Sequence, residues 1–318
     1  MTIIIISNTS WYLYNFRSGL IKLLVKRGYQ IFTLAPEDEY SVNLENLGCH
    51  HIHLKMDNEG LNPINDLRMK NTLSVLYRKI KPDLLIHYTI KPVIYGSIAA
   101  ENLGIPCINN ITGLGTAFIK NNWVTWLVKH LYKSSQKNAS QVFFQNRDDH
   151  AFFLRENLIS KSVPQEIIPG TGINTDYFNV CPYPGSNSMT FLLIARMLWD
   201  KGVGEYVEAA MLIKSEFSDI RFQLLGYLDV SNRTAISRKQ MEKWTAQGII
   251  EYLGETGDVR PYISDADCIV LPSYREGLPR TLMEAGSMGR PIIATDVTGC
   301  REVVEHGVNG YLCKARDA

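Results

Sequence analysis

The chain has 318 residues, 45% of them hydrophobic and 20% charged, and it carries a formal net charge of +1 at pH 7. This is ordinary globular composition, and the length suffices for two domains with sizeable cores. It does not favour nucleic acid as a partner. Apolar runs stay short of the ~18 residues of a membrane-spanning helix, and the opening MTIIIIS lacks the basic start of a signal peptide, so a cytoplasmic location is expected.

Cysteine placement and charge distribution both bear on the surroundings of the protein. The six cysteines are scattered without a Cys-x-x-Cys pair, which favours reduced thiols and no structural metal. Residues 1–165 hold 18 Lys and Arg against 12 Asp and Glu, a net charge of +6, and the remainder is net −5. The first half is therefore the better candidate for contact with an anionic surface.

Strand-like and helix-length segments alternate along the whole chain. The first half has the runs TIIIIS, QIFTLA, HIHL, DLLIHY and PCINNI, and the second half has TFLLIAR, IRFQLLG, IIEYLGE, DCIVLPS, PIIATD and GYLC. Hydrophobic strands separated by amphipathic helices predict parallel sheets that are covered on both faces. Two such sets predict an α/β protein with two doubly wound, Rossmann-like domains.

The domain boundary is expected where Gly, Pro, Asn and Ser are dense. This places an N-terminal domain at residues 1–166, a linker at 167–188 and a C-terminal domain at 189–318. The default ligand site of such a protein is the cleft between the domains, at the carboxyl ends of the strands. A nicotinamide dehydrogenase is disfavoured, because Phe118 occupies the third glycine position of the dinucleotide fingerprint.

The stretch SYREGLPRTLMEAGSMGRPIIATD carries two glutamates beside a predicted helix start. Glu276 lies on the loop after a buried strand, and Glu284 lies inside the helix that follows Pro279. The amide groups at a helix start attract anions, while carboxylates are good acceptors for sugar hydroxyls. The pattern therefore indicates a nucleotide sugar, against the alternative that Glu284 is a solvated helix residue.

A second motif, ARMLWDKG, follows another buried strand. It brings Arg196 and Lys201 to a strand end and a helix start, where two cations can neutralise a diphosphate leaving group. Neither of the two motifs contains an Asp-x-Asp metal box, so neither a metal nor another cofactor is expected. The alternative for Arg196 is an ordinary salt bridge at a strand end.

These motifs together resemble the retaining glycosyltransferases of family four, which have the GT-B fold and a Glu-x7-Glu signature. The blocks ARMLWDKGVGEYVEAA, IIEYLGETGDVRPYISDADCIVLPSYREGLPRTLMEAGSMGRPIIATD and GCREVVEHGVNGYLC carry the resemblance, which spans essentially the whole chain. It is strongest to bacterial transferases that build capsule, O-antigen or lipid-linked glycans. The resemblance implies a UDP-sugar donor, with a glycan or polyprenyl-diphosphate-linked saccharide as acceptor.

The resemblance also implies roles in the second domain. Glu276 would contact hydroxyls of the donor sugar, Glu284 the ribose hydroxyls, and Arg196 and Lys201 the diphosphate. Backbone N–H groups of two residues would approach the sugar and phosphates, and two more residues would border the base. These four are Gly277 and Leu278, and Leu253 and Val259.

In the first domain, His87 ends the strand DLLIHY, so its imidazole is expected to face the cleft. The resemblance suggests that it approaches the reacting sugar through its side chain or its backbone carbonyl. The alternative is a structural histidine. Residues that would add charge or shape the acceptor side are Asn15, Arg17, Lys91, Thr112, Gly113 and Gly115.

The segment Lys120–Lys137 predicts an amphipathic helix rich in tryptophan and lysine. Trp123 and Trp126 share an apolar face flanked by Lys129 and Lys133, a pattern typical of helices that rest in lipid headgroups. Such a helix would hold the enzyme on the cytoplasmic face of the inner membrane beside a lipid-linked acceptor. The alternative, a helix that packs into the core with solvated lysines, stays open.

Two other functions remain compatible with the sequence. A nucleotide-sugar epimerase can share the GT-B fold and the same pocket. Family members usually continue beyond the last strand with helices that return to the first domain, whereas this chain stops at GYLCKARDA. A C-terminally truncated homologue that binds without catalysis is therefore the second alternative.

Overall fold

The computed structural model describes residues 1–57, 62–114, 118, 123–137, 139–185, 188–230 and 232–318. These residues divide into two units, Met1–Thr171 and Gly172–Ala318. Each unit contains one parallel β-sheet with helices between its strands. The α/β class predicted from the alternating pattern is confirmed.

Seven parallel strands form the sheet of the first unit, in the order β3-β2-β1-β4-β5-β6-β7. The strands are β1 (Thr2–Ile6), β2 (Gln30–Ala35), β3 (His50–His53), β4 (Leu84–Tyr88), β5 (Cys107–Ile111), β6 (Gln141–Phe144) and β7 (Gln165–Ile167). Each parallel step requires a crossover connection, and helical segments supply the crossovers.

The helices of the first unit begin where the sequence offers suitable caps. They are α1 (Ser10–Lys26), α2 (Ser41–Glu45), α3 (Pro63–Ile80), α4 (Ser97–Glu101), α5 (Trp123–Ser135) and α6 (Arg147–Arg155), with a π-helical turn at Pro92–Gly96. The side chains of Thr9, Asn62 and Asn146 cap α1, α3 and α6 respectively. Each accepts a hydrogen bond from a backbone N–H in the first turn of its helix. These caps satisfy amides that would otherwise have no partner within the helix.

The isoleucine run of β1 shows why this strand is central. Ile4 and Ile6 pack into the core on one face of the sheet, while Ile3 and Ile5 pack into the core on the other. All four are buried. A continuous apolar run is therefore required here, because both faces of the strand are covered by helices.

The second unit repeats the design with six parallel strands in the order β10-β9-β8-β11-β12-β13. The strands are β8 (Thr190–Ile194), β9 (Arg221–Leu225), β10 (Glu251–Tyr252), β11 (Cys268–Leu271), β12 (Ile292–Thr295) and β13 (Gly310–Cys313). The helices are α7 (Val203–Glu216), α8 (Arg238–Ala246), α9 (Arg260–Asp265) and α10 (Arg280–Ser287), with 3-10 turns at Trp199–Lys201 and Cys300–Glu302.

The segment before β8, which the sequence suggests as a linker over residues 167–188, is anchored to the second unit from Gly172 onward. Phe178 is buried in the core beneath α10. Arg290, only 2% exposed, donates hydrogen bonds to the carbonyls of Cys181 and Pro182. The same guanidinium donates to the carbonyl of Ile263 at 3.1 Å. One buried side chain thus ties this segment to the start of β12 and to α9.

Candidate active site

The sheet of the second unit has its topological switch point between β8 and β11. From β8 the chain passes through α7 to β9 on one side, and from β11 it passes through α10 to β12 on the other. Loops that leave adjacent strands in opposite directions open a crevice at the carboxyl ends of those strands, which is the usual ligand site of a doubly wound sheet. Both motifs singled out in the sequence follow these two strands.

The two loops contact each other directly. Tyr274 N donates to the carbonyl of Asp200 at 3.0 Å, and Ser273 Oγ donates to the same oxygen at 3.2 Å. Gly202 has φ 73°, and a Cβ at this position would lie 2.0 Å from the carbonyl oxygen of Pro272. Only glycine permits this approach, so the backbone requires Gly202 in the motif.

Lys201 and Glu276 form an ion pair at the switch point. Lys201 Nζ lies 2.5 Å from Glu276 Oε1, and the two side chains are 21% and 12% exposed. Glu276 N donates to Thr298 O at 3.1 Å. A Cβ on Gly299 would lie 2.7 Å from the carbonyl oxygens of Glu276 and Gly277, so the loop can pack this closely only against a glycine. An ammonium has three donors, so Lys201 can hold this carboxylate and an anionic ligand together.

Arg196 also lies at this edge, directly after β8. Its side chain is exposed, and no ion pair of the described residues includes it. Met197 N donates to Tyr227 O at 2.8 Å, and a Cβ on Gly226 would meet the carbonyl oxygen of Ala195 at 2.0 Å. The backbone around Arg196 is therefore fixed while its guanidinium faces solvent. The salt-bridge alternative is wrong for the described part of the chain.

Glu284 lies on α10 and is 7% exposed. Its Oε1 lies 2.7 Å from Arg280 Nε, one turn earlier on the helix. Burial raises the pKa of Glu284, and the neighbouring Arg280 partly opposes this rise. The alternative of a solvated glutamate is therefore wrong. The helix begins at Arg280, with Pro279 as its N-cap, so Gly277 and Leu278 lie on the loop between the two carboxylates.

Leu253 and Val259, which the family resemblance assigns to the base, lie after β10 and before α9. Both are partly buried and pack against the core that includes Ile194 and Leu271. Leu253 N donates to Leu224 O at 2.9 Å, which continues the pairing with β9. They therefore border the same edge of the sheet, on the β9 side of Arg196.

A tyrosine and a glutamate that sequence reasoning missed support the Lys201 loop. Tyr274 Oη donates to Glu205 Oε1 at 2.5 Å. Burial raises the pKa of Tyr274 to about 12, and the adjacent Glu205 carboxylate adds to the rise. An acidic residue in the first turn of a helix, as Glu205 is in α7, is normally attributed to the helix dipole, so local sequence does not distinguish it from an ordinary helix-start residue.

In the first unit, the expectation that the imidazole of His87 faces an open cleft is wrong. His87 is 0% exposed. Its Nδ1 lies 2.9 Å from Asn109 Oδ1, and its Nε2 lies 3.2 Å from Tyr77 Oη. An amide oxygen only accepts, so Nδ1 carries the proton and Nε2 accepts from the tyrosine. Burial lowers the pKa of His87 to about 4, so the ring is neutral at pH 7.

Two lysines predicted to add positive charge are neutralised instead. Lys91 Nζ lies 2.7 Å from Oδ1 of Asp66, which is buried. Lys129 Nζ lies 2.8 Å from Glu156 Oε2, and the hydrogen bond from Lys129 lowers the pKa of Glu156. The positive charges expected from Lys91 and Lys129 are therefore compensated within the first unit, by Asp66 of α3 and by Glu156 at the end of α6.

The helix α5 separates a buried face from an exposed one. Val128 and Tyr132 are buried in the core, whereas Trp123 and Trp126 are 71% and 62% exposed. Lys133 is also exposed. One face of α5 therefore packs into the core with solvated lysine beside it, as the second alternative expects, while both tryptophans lie on the exposed face. Among the described residues, no helix combines the length and apolarity needed to cross a membrane.

The other residues expected on the acceptor side follow β1 or β5 in the chain. Asn15 and Arg17 are in α1, and the amide of Asn15 donates to Trp11 O at 3.0 Å. Thr112 and Gly113 directly follow β5, and Gly113 has φ 120°. Gly115 lies outside the described residues.

Two doubly wound parallel sheets are the architecture of the GT-B glycosyltransferases, and the fold of this chain is of that class. The family described as "Glycosyl transferases group 1" matches residues 188–318, and the family described as "Glycosyl transferase 4-like" matches residues 2–146. The chain belongs to family four of the glycosyltransferases.

Individual relatives agree with this assignment. The chain is 31% identical to the N,N'-diacetylbacillosaminyl-diphospho-undecaprenol alpha-1,3-N-acetylgalactosaminyltransferase of Campylobacter jejuni, over 100% of this chain and 86% of the relative. It is 23% identical to the UDP-Gal:alpha-D-GlcNAc-diphosphoundecaprenol alpha-1,3-galactosyltransferase of Escherichia coli, over 91% and 80%. The fold is similar to that of Anabaena HepE in complex with UDP and glucose, with TM-score 0.77, 17% identity and coverage of 100% and 86%.

Proposed function

We propose that the protein transfers a sugar from a UDP-linked donor to a hydroxyl of an undecaprenyl-diphosphate-linked saccharide, with retention at the anomeric carbon, during synthesis of a bacterial surface polysaccharide. The observation that carries the proposal is the Lys201–Glu276 pair at the switch point of the second sheet. The names of the Campylobacter and Escherichia relatives support the lipid-linked acceptor.

Two cations are assigned to the leaving group. Departure of UDP leaves negative charge on the β-phosphate, and Lys201 and Arg196 lie on the loop where that charge would develop. Preorganised positive charge lowers the barrier most when it needs no rearrangement, and the glycine contacts that fix this loop support that role. In this proposal the side chains do the work of a metal ion.

Carboxylates and backbone amides are assigned to the hydroxyls and phosphates. Glu276 accepts from the donor sugar and Glu284 from the ribose, while the amides of Gly277 and Leu278 approach the phosphates. Leu253 and Val259 border the uracil. Glu284 is already buried beside Arg280, which suits a carboxylate that holds a hydroxyl away from bulk water.

Retention is assigned to attack on the face that the nucleotide leaves. Glu276 is held by Lys201 and is assigned to hydroxyl binding, so it is not proposed as a covalent nucleophile. The departing phosphate takes the proton of the acceptor hydroxyl as the new bond forms. The contribution of His87 is limited to its backbone carbonyl, which accepts from Asn110 Nδ2 at 3.3 Å, and to the buried hydrogen bonds of its ring.

The test is a mass-spectrometric screen of UDP-N-acetylgalactosamine, UDP-galactose and other UDP-sugars against a short polyprenyl-diphosphate-linked sugar. Retention is read from the proton coupling of the new anomeric centre, and metal independence from unchanged turnover in EDTA. Lys201→Ala and Arg196→Ala should each slow transfer by roughly 10²–10³-fold. Wild-type rates in both folded variants would overturn the site. An epimerised donor formed without acceptor would indicate an epimerase, and nucleotide binding without any turnover would indicate a binding protein.

Membrane attachment is assigned to the exposed face of α5. Trp123 and Trp126 lie three residues apart on this face, and Lys133 adds a cation near it. The protein should then lie on the cytoplasmic membrane surface, where nucleotide sugars and lipid-linked acceptors meet. Trp123→Ser with Trp126→Ser should release the protein from phosphatidylglycerol vesicles in a flotation assay, whereas the exposed Trp199→Ser in the second unit should not. Equal flotation of both variants would refute the assignment.

A further inference from the structure

The first unit has a switch point of its own, between β1 and β4, and a group of polar side chains collects there. Arg17 and Tyr12 come from α1, Tyr88 and Thr89 from the end of β4, and Thr112 from the end of β5. We name these five residues the Arg17 cluster. They belong to a different sheet from the Lys201 site and take no part in the contacts described there.

Arg17 is the centre of the cluster and has no counter-charge in the described part of the chain. Its guanidinium carbon lies 3.9 Å from the centroid of the Tyr88 ring, and its Nη2 donates to Tyr12 Oη at 2.8 Å. No ion pair of the described residues includes it, and its Nε is buried without a hydrogen-bond partner among them. A partly buried guanidinium that is held flat, with donors to spare, is suited to bind an oxyanion.

The two tyrosines hold the guanidinium without neutralising it. Burial raises the pKa of Tyr12, while Arg17 and the hydroxyl of Thr112 act in the opposite direction. Burial also raises the pKa of Tyr88, to about 12. Both phenols are therefore uncharged at pH 7, and the positive charge of Arg17 stays available to a ligand.

Thr89, which directly follows Tyr88 at the end of β4, supplies a second and independent observation. Its Oγ1 is buried and has no hydrogen-bond partner among the described residues. Its φ is 67°, which is costly for a β-branched side chain. A strained residue whose buried hydroxyl lacks a partner, at the end of a central strand, is typical of a position kept for binding.

We propose that the Arg17 cluster binds the diphosphate of the lipid-linked acceptor. This inference rests on the proposed function, in which the diphosphate of the donor is bound by Lys201 and Arg196 in the second unit. An anion bound by Arg17 is then distinct from the donor diphosphate, and the other diphosphate in the proposed reaction is that of the acceptor. Thr89 Oγ1 donates a hydrogen bond to one oxygen of this diphosphate. The guanidinium N–H groups of Arg17 donate hydrogen bonds to two further oxygens.

The experiment uses the full chain saturated with UDP, so that the donor site is occupied. Inorganic pyrophosphate and geranyl diphosphate are titrated by calorimetry into wild type, Arg17→Gln and the control Arg27→Gln, which lies exposed at the end of the same helix. Arg17→Gln should weaken both ligands about 10–100-fold, the loss of charge-assisted hydrogen bonds. The control should change affinity less than twofold. Absence of pyrophosphate binding to wild type, or equal binding to Arg17→Gln, would overturn the inference.

Affinity for UDP is measured in the same variants to separate this inference from the proposed function. Unchanged UDP binding with lost pyrophosphate binding supports the cluster. If wild type does not bind UDP, the proposed function is refuted. The effect of Arg17→Gln on pyrophosphate affinity can still be measured in that case. If Arg17→Gln weakens only binding to phosphatidylglycerol vesicles, the cluster recognises lipid headgroups and the inference is wrong.

Thr89 provides a second pair of variants that does not depend on Arg17. Thr89→Ala removes the hydroxyl and keeps the backbone strain, whereas Thr89→Gly removes both. Each should weaken pyrophosphate about 5–10-fold, as expected for one hydrogen bond, but only Thr89→Gly should raise the melting temperature. Unchanged affinity in both would contradict a contact from Thr89 to the ligand.

Discussion

Breaking the Lys201–Glu276 pair from either side should destabilise the ligand-free protein. Exposed ion pairs contribute about 0–1 kcal/mol, whereas loss of one partner of a fully buried pair costs about 3–5 kcal/mol. With side chains 21% and 12% exposed, this pair lies between those limits. Lys201→Met or Glu276→Gln should therefore lower the free energy of unfolding by about 2 kcal/mol each.

The double variant should lose much less than the sum of the two. Once one partner is gone, removing the other relieves a buried charge that has no counter-charge, so a coupling of about 1–2 kcal/mol is expected. Urea unfolding at equilibrium of the wild type, the two single variants and the double variant measures this coupling as a double-mutant cycle. The exposed pair Arg238–Asp229, with side chains 62% and 61% exposed, is the matched control and should show no measurable coupling.

The same four proteins can be compared by their rates of sugar transfer. Each single variant should lower kcat/KM by roughly 10²–10³-fold, and the double variant by about as much as either, because residues that act as a unit lose their effect together. The reasoning would be refuted if the two substitutions proved additive in both unfolding and kinetics, since Lys201 and Glu276 would then act independently.

Three further predictions concern stability. Because the pKa of His87 is about 4 in the folded protein and about 6.5 in the unfolded chain, stability should be constant above pH 6.5 and fall by up to about 3 kcal/mol as the pH drops to 4. His87→Gln, compared by urea unfolding across pH, should lose this dependence, and an unchanged slope would contradict it. Gly202→Ala should cost more than about 4 kcal/mol or prevent folding, whereas Gly19→Ala, with open space around its Cβ inside α1, should stabilise by about 0.5–1 kcal/mol in thermal melts. Arg290→Ala should cost about 2–4 kcal/mol in urea through the buried carbonyls that it leaves without a donor, against less than about 1 kcal/mol for the exposed Arg301→Ala.

Much of the fold follows from local sequence because the pattern reports burial directly. The isoleucines of β1 predict a strand that is covered on both faces, and the motif after β11 predicts a loop followed by a helix. The structure contains both. The placing of Glu276 on that loop and Glu284 within α10 follows from the strand end and from Pro279. Parallel order then brings strand ends to one edge, so sequence alone could place the two motifs near each other.

The state of a titratable or charged side chain depends on residues far away in the sequence. The expectations for His87, Lys91 and Lys129 rest on their own segments, but their states are set by Asn109, Asp66 and Glu156, which lie 22 to 27 positions away. A side chain at the end of a strand can point to solvent or into the layer beneath the sheet, and local sequence does not distinguish the two.

Local sequence is enough to predict the alternation of strands and helices, the two parallel sheets and the loops that carry Arg196, Lys201 and Glu276, because periodicity and turn chemistry are local properties. Which charges are compensated within the protein depends on the folded arrangement of distant segments. Lys91 and Lys129 are neutralised and the ring of His87 is enclosed, while Arg17 is held by aromatic rings without a carboxylate among the described residues. Charge compensation depends on distances between segments far apart in the chain, and those distances exist only once the sheet has assembled.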